Sequence, residues 1–130
     1  MTVHFLYFWL TFIELRQMHE LSIAMNIVEI VDEEVKKADA SVVRELELDI
    51  GQLSGVVIEA LEFALTEAVK NSVLEKARII INKIPATAKC NECHHEFAVE
   101  DLYTPCPACR SFDNEIIKGG ELRIRSLLVD

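Results

Sequence analysis

The stretch Cys90-Asn91-Glu92-Cys93-His94-His95, answered by Pro105-Cys106-Pro107-Ala108-Cys109-Arg110, sets the terms on which the second half of this chain folds. The two C-x-x-C pairs are separated by 12 residues and hold all four cysteines of the 130-residue chain. Each pair delivers two thiolates from one tight turn, and two pairs make a tetrahedral cage suited to zinc. Without a convincing signal peptide, the pattern reads as a metal site in a reducing compartment rather than as disulfides. Four thiolates close the first shell and leave no position for water, so such a site is structural. Metal binding then becomes folding free energy for about 35 residues, too few to fold alone. Pro105 and Pro107 flank Cys106 and stiffen the second turn. Spacing by itself also admits a rubredoxin-like iron site or a dithiol redox pair. His94 and His95 follow the first pair; the ordinary reading is solvated surface residues, since zinc does not need them. His95 is nonetheless placed to couple the cysteine module to a neighbour.

Upstream of the cysteines, Ile23, Ile27, Ile30, Val31 and Val35 recur at helical spacing from Ser22, predicting an amphipathic helix of about four turns that ends near Ala38 to Ser41. Leu46, Leu48 and Ile50 alternate with Glu45, Glu47 and Asp49, which predicts a half-buried strand. After Gly51 and Gly55, a second helix carries Val57, Leu61, Leu65 and Ala68 on one side. Ala77, Ile79 and Ile81 then alternate with Arg78, Ile80 and Asn82 in a second strand, stopped by Pro85. Beyond Gly119-Gly120 the chain finishes as a strand with Leu122 and Ile124 alternating against Arg123 and Arg125. One strand enters the cysteine module and one leaves it. The expected fold is therefore α+β, two helices packed on a small mixed sheet, with an inserted zinc-ribbon-like module. The expected division is 18–85 plus 120–130 for the main domain and 86–119 for the module.

Composition narrows the function classes. About half the residues are apolar, enough for a real core, and the net charge of -9 disfavours a nucleic-acid partner. Residues 1–17 stand apart: Phe5, Tyr7, Phe8, Trp9 and Phe12 are five of the nine aromatics. The apolar run from Val3 to Ile13 is shorter than the roughly 20 residues a membrane span needs. It is not flanked as a secretory signal would be. The expectation is an apolar extension that is not native, with translation starting at Met18, no membrane association, and a cytoplasmic protein. There is no G-x-x-x-x-G-K-[ST], no G-x-G-x-x-G and no Ser-His-Asp set, and the carboxylates fall on solvated helix faces and alternate strand positions. Nothing reads as a catalytic constellation. The chain is expected to bind or carry, as a monomer or homodimer, and not to be an enzyme.

The order Met18-His19-Glu20-Leu21-Ser22, amphipathic helix, strand, Gly51 to Ser54 as G-x-L-S, second helix, Ala77-Arg78-Ile79-Ile80-Ile81, two C-x-x-C pairs and Gly119-Gly120-Glu121-Leu122-Arg123-Ile124 resembles the HypA family. HypA proteins are nickel metallochaperones of NiFe-hydrogenase maturation. The resemblance runs from Met18 to Asp130. It implies a structural zinc at Cys90, Cys93, Cys106 and Cys109. It also implies Ni(II) as transient cargo at Met18, His19 and Glu20, through the free amine of Met18, the imidazole of His19 and neighbouring amide nitrogens, with Glu20 near the metal. Such consecutive nitrogen donors close small planar chelate rings that suit Ni(II) and suit tetrahedral zinc poorly. A Met18 without a free amine would lose the anchoring donor. The implied partners are a HypB-type GTPase and a hydrogenase large-subunit precursor. His95 matches a histidine that some members carry, whereas Arg110 stands where a second histidine would follow. The alternative without nickel transfer is a zinc-ribbon protein-interaction module.

Overall fold

The structure is a computed structural model that describes residues 2–4 and 20–130. Helix α1 runs Glu20–Lys37 and α2 Ile58–Ala68; the strands are β1 Thr2–His4, β2 Val43–Gly51, β3 Arg78–Ile84, β4 Thr87–Cys90, β5 Glu96–Ala98, β6 Asn114–Lys118 and β7 Leu122–Val129. They form a four-stranded sheet in the order β1-β7-β2-β3 and a three-stranded sheet in the order β5-β4-β6.

Helix α1 starts two residues earlier than its periodicity predicts, with Glu20 in the first turn and Lys36 and Lys37 in the last, charges that oppose the helix dipole at both ends. It stops in a Schellman turn: the Ala40 N–H donates to Val35 O at 3.0 Å, the Asp39 N–H donates to Lys36 O at 3.1 Å, and Asp39 takes φ 54°. Its stripe Ile23, Ala24, Ile27, Val31 and Val35 joins Leu61, Ala64 and Leu65 of α2 over Leu46, Leu48, Ile50, Ile124 and Leu127 of the sheet. Each fully buried Leu or Ile contributes roughly 1.5–3 kcal/mol, which makes this layer the main source of stability.

β2 is the central strand, parallel to β3 on one side and antiparallel to β7 on the other. Leu46, Leu48 and Ile50 face the helices as the alternation predicts. Asp49 departs from it, being fully buried on the supposedly polar side. Arg123 Nε donates to its carboxylate at 2.7 Å, Arg125 Nη1 at 3.1 Å and Asn82 Nδ2 at 3.0 Å. Burial works to raise the Asp49 pKa, but the Asn82 and Arg123 hydrogen bonds and the two arginine charges outweigh it, leaving it below 3.8. A group with a lowered folded pKa stabilises above its unfolded value and loses that contribution as pH falls through the folded one. Asp49→Asn is therefore expected to cost about 2–3 kcal/mol at neutral pH, less than for a fully buried pair because both arginines keep contact with water. The gap between wild type and variant should shrink below about pH 4. Urea unfolding followed on β2 and β7 amide resonances measures it; a gap that stays constant to pH 2 refutes the assignment.

The cysteine module leaves through β3 and returns through β7, so both its ends flank the same end of β2. There the Gly51 N–H donates to Glu121 O at 2.7 Å, the Gln52 N–H to Ile84 O at 2.9 Å and the Leu53 N–H to Gly119 O at 2.6 Å. Gln52 Oε1 accepts from the Ala86 N–H at 2.9 Å. A Cβ at position 51 would collide with the Gly119 carbonyl, so this junction needs glycine for space. Of residues 1–17, which the sequence sets apart, Thr2–His4 pair antiparallel with β7. The remainder lie outside the described residues.

Candidate metal centre

The four cysteines arrive from two turns with the same backbone design. In the first, the His94 N–H donates to Cys90 O at 3.0 Å and the Cys90 N–H to His95 O at 2.9 Å. In the second, the Arg110 N–H donates to Cys106 O at 2.7 Å and the Cys106 N–H to Ser111 O at 2.9 Å. His94 at φ 66° and Arg110 at φ 64° occupy equivalent left-handed positions, where glycine would be less strained. Each turn thus supplies one buried sulfur, Cys90 or Cys106, and one exposed sulfur, Cys93 or Cys109.

All four Sγ atoms lie within 4.8 Å of one another. Cys90 and Cys109 are 3.5 Å apart and Cys93 and Cys106 3.6 Å. A disulfide requires about 2.05 Å. A tetrahedron with Zn–S bonds of about 2.3 Å has edges of about 3.8 Å, so the cluster fits zinc. The thiols are electrostatically unequal. The Cys93 N–H, which donates to Cys90 Sγ, is the largest influence bringing the Cys90 pKa down to about 7. At Cys109 the Ser111 N–H lowers the pKa, but sharing with the Cys90 thiol, together with burial, pushes it up to about 12. Zinc must displace these protons, so its retention weakens as pH falls.

The surrounding core is small: Ala86, Ala88, Cys90, Phe97, Val99 and Cys106, with Leu53 and Ile116 packed against it. Leu53 belongs to the G-x-L-S loop, so the main domain contributes to the module's packing. Asn114 Nδ2 donates to both Thr104 O and Ser111 O at 3.1 Å, tying the loop before the second turn to the one after it. The His95 ring stacks on Phe97, 6.2 Å between centroids, which gives it a packing role within the module. His94 is exposed.

Met18 and His19 lie outside the described residues. Glu20 is described, and it opens α1. Its Oε1 accepts a 3.4 Å hydrogen bond from the Val57 N–H. Val57 is the N-cap of α2 and has no side-chain cap of its own. Glu20 therefore links the start of α1 to the start of α2, 37 residues away. Sequence spacing carries no signal for that contact, nor for the enclosure of Asp49. The two left-handed turn positions were readable in principle, since each directly follows the second cysteine of its pair.

A main α+β domain bearing an inserted four-thiolate ribbon defines a small two-module metalloprotein. The family described as "Hydrogenase/urease nickel incorporation, metallochaperone, hypA" matches residues 18–129, and the chain belongs to it. A hydrogenase maturation factor HypA from Parabacteroides distasonis is 53% identical over 112 residues, covering 86% of this chain and 97% of that protein. One from Geobacter metallireducens is 39% identical over 113 residues, covering 87% of this chain and 100% of that protein. Among the solved structures that match, two are solution structures with the same fold. The solution structure of the Ni metallochaperone HypA from Helicobacter pylori gives a TM-score of 0.63 at 26% identity, over 86% of this chain and 97% of that one. A second, titled as the solution structure of HypA protein, gives 0.66 at 27% identity, over 87% and 97%.

Proposed function

We propose that this chain carries Ni(II) at Met18, His19 and Glu20, with Glu20 near the metal, and releases it to a hydrogenase large-subunit precursor. The observation that carries the reading is the family match, which begins at Met18-His19-Glu20 and extends through the cysteine module. Chemistry supports the division of labour. Four thiolates saturate zinc at Cys90, Cys93, Cys106 and Cys109, so cargo must bind elsewhere, and nitrogen donors on consecutive residues suit Ni(II). Residues 18–85 with 120–130 serve as the nickel domain and 86–119 as the zinc module. The chain itself performs no catalysis. It carries no nucleotide-binding motif, so energy input comes from a HypB-type GTPase. The work takes place in the cytoplasm; no helix among the described residues is long and apolar enough to cross a membrane.

The chelate needs a free amine, so the nickel-competent form is one whose amino terminus is Met18. A chain beginning at Met18 is expected to bind one Ni(II). The same chain acetylated at Met18 should bind it at least about a hundredfold more weakly, with zinc unchanged. Calorimetric titration with intact-mass confirmation of each amino terminus checks this. Equal nickel affinity in the two forms refutes the amine as a donor.

A further inference from the structure

Each turn of the metal centre places one sulfur in the interior and one at the surface: Cys90 and Cys106 are fully buried, Cys93 and Cys109 exposed. The module's small core leaves that second pair uncovered, since Ala86, Ala88, Phe97 and Val99 pack with Cys90 and Cys106. An oxidant arriving from solvent therefore meets two of the four thiolates, and thiolate oxidation follows exposure.

The close sulfur contacts run between the turns. Cys109 Sγ lies 3.5 Å from Cys90 Sγ, and Cys93 Sγ lies 3.6 Å from Cys106 Sγ. Each contact joins an exposed sulfur of one turn to the buried sulfur of the other. The two contacts share no atom, so both can close in one module. Within a turn it is the amide of the exposed cysteine that meets the buried sulfur. The Cys93 N–H donates to Cys90 Sγ at 3.4 Å, and the Cys109 N–H donates to Cys106 Sγ. Bringing a cross-turn contact to the roughly 2.05 Å of a disulfide takes a shift of about 1.5 Å.

We propose that Cys93 and Cys109 are a modification site for hydroperoxides, and that oxidation replaces the zinc cage by two disulfides, Cys93–Cys106 and Cys90–Cys109. At each exposed sulfur the thiolate attacks the terminal oxygen of the hydroperoxide. The O–O bond breaks, the sulfur becomes a sulfenic acid, and the alkoxide or hydroxide released takes a proton from water. The buried thiolate across the cage then attacks that sulfur, the S–S bond forms, and hydroxide leaves. Each disulfide takes two electrons from sulfur, and these reduce one hydroperoxide to alcohol or water. Zn(II) keeps its charge, loses its ligands and departs hydrated. Cross-turn disulfides hold together the turns that zinc held, so a dithiol reductant can restore the thiolates and the cage. Disulfides within each turn would leave the turns unconnected. This chemistry needs zinc in the cage and nothing of the nickel site.

The test uses the chain beginning at Met18, loaded with zinc and treated with two equivalents of hydrogen peroxide. A chromogenic chelator should report release of the zinc. Cleavage after glutamate separates Cys90 from Cys93 at Glu92 and leaves Cys106 and Cys109 in one peptide, 101–115. Mass spectrometry should find peptides 76–92 and 93–96 both linked to 101–115, and fragmentation should place those links at Cys109 and Cys106 respectively. Dimedone present during oxidation should label Cys93 and Cys109 at least about tenfold more than Cys90 and Cys106. A reducing dithiol with one equivalent of Zn(II) should then return one zinc per chain and the starting amide spectrum. Zinc that stays bound through the peroxide treatment overturns the proposal. So do disulfides within a turn, between the two buried sulfurs or between chains, dimedone adducts mainly on the buried pair, and zinc that cannot be reloaded after reduction.

Discussion

Cys106→Ser is expected to release zinc and unfold residues 86–119 while leaving the main sheet folded. The module's buried core has six members, two of which, Cys90 and Cys106, are themselves cage sulfurs, and two more are alanines. Only Phe97 and Val99 bring sizeable apolar surface, worth at most about 2–3 kcal/mol each. Zinc bound by four thiolates contributes about 10–16 kcal/mol, so the metal dominates the module's stability. Serine keeps the shape but exchanges a thiolate for a weakly acidic hydroxyl at a fully buried corner of the cage. Zinc content should fall from one per chain to near zero. Amide resonances from Thr87 to Lys118 should collapse, while those of α1, β2 and β7 persist on their separate core. A module that stays folded after the loss of zinc would show that the cage is not structural.

His19→Ala is expected to abolish stoichiometric nickel binding and leave zinc at one per chain. The imidazole is the one side-chain nitrogen in Met18-His19-Glu20, and removing it opens the chelate at its fourth corner. The effect should exceed that of Glu20→Gln, whose amide oxygen can still accept the Val57 N–H. Wild-type nickel affinity should fall as pH drops through about 6.5, because imidazole binds metal only when neutral. Zinc-loaded protein titrated with Ni(II) at pH 7.5 and at about pH 6 reads both effects. Intact nickel binding in His19→Ala would favour the zinc-ribbon interaction module instead.

The sequence carried the helix stripes, the alternation of β2 and the cysteine spacing because each has a short repeat in register with its element. The two knuckles could be placed from spacing alone, and their sulfurs do converge. Asp49 was missed for a definite reason. Its position in the alternation is polar, and only the pairing of β7 beside β2, with β3 on the other flank, brings Arg123, Arg125 and Asn82 over it. The edge status of β3 was equally hidden, since the alternation of Ile79 and Ile81 is the same in a central strand and at a margin. Glu20 Oε1 accepts from the Val57 N–H 37 residues away, a separation on which no local pattern can report. The stacking of the His95 ring on Phe97 within the cysteine module is likewise a contact that position in the sequence did not announce.

The placement of the module's two ends has a consequence for how such chains can be rebuilt. β3 and β7 flank β2, so the ends stand two strand spacings apart, about 10 Å. Whatever is spliced between Ile84 and Leu122 must bridge that gap and leave room for Gly51. It must also keep the Glu121 and Gly119 carbonyls that accept from the Gly51 and Leu53 N–H groups, and the Ala86 N–H that donates to Gln52 Oε1. A different ribbon, or a plain hairpin of the right span, that keeps those bonds is expected to graft there without disturbing the strands that carry it.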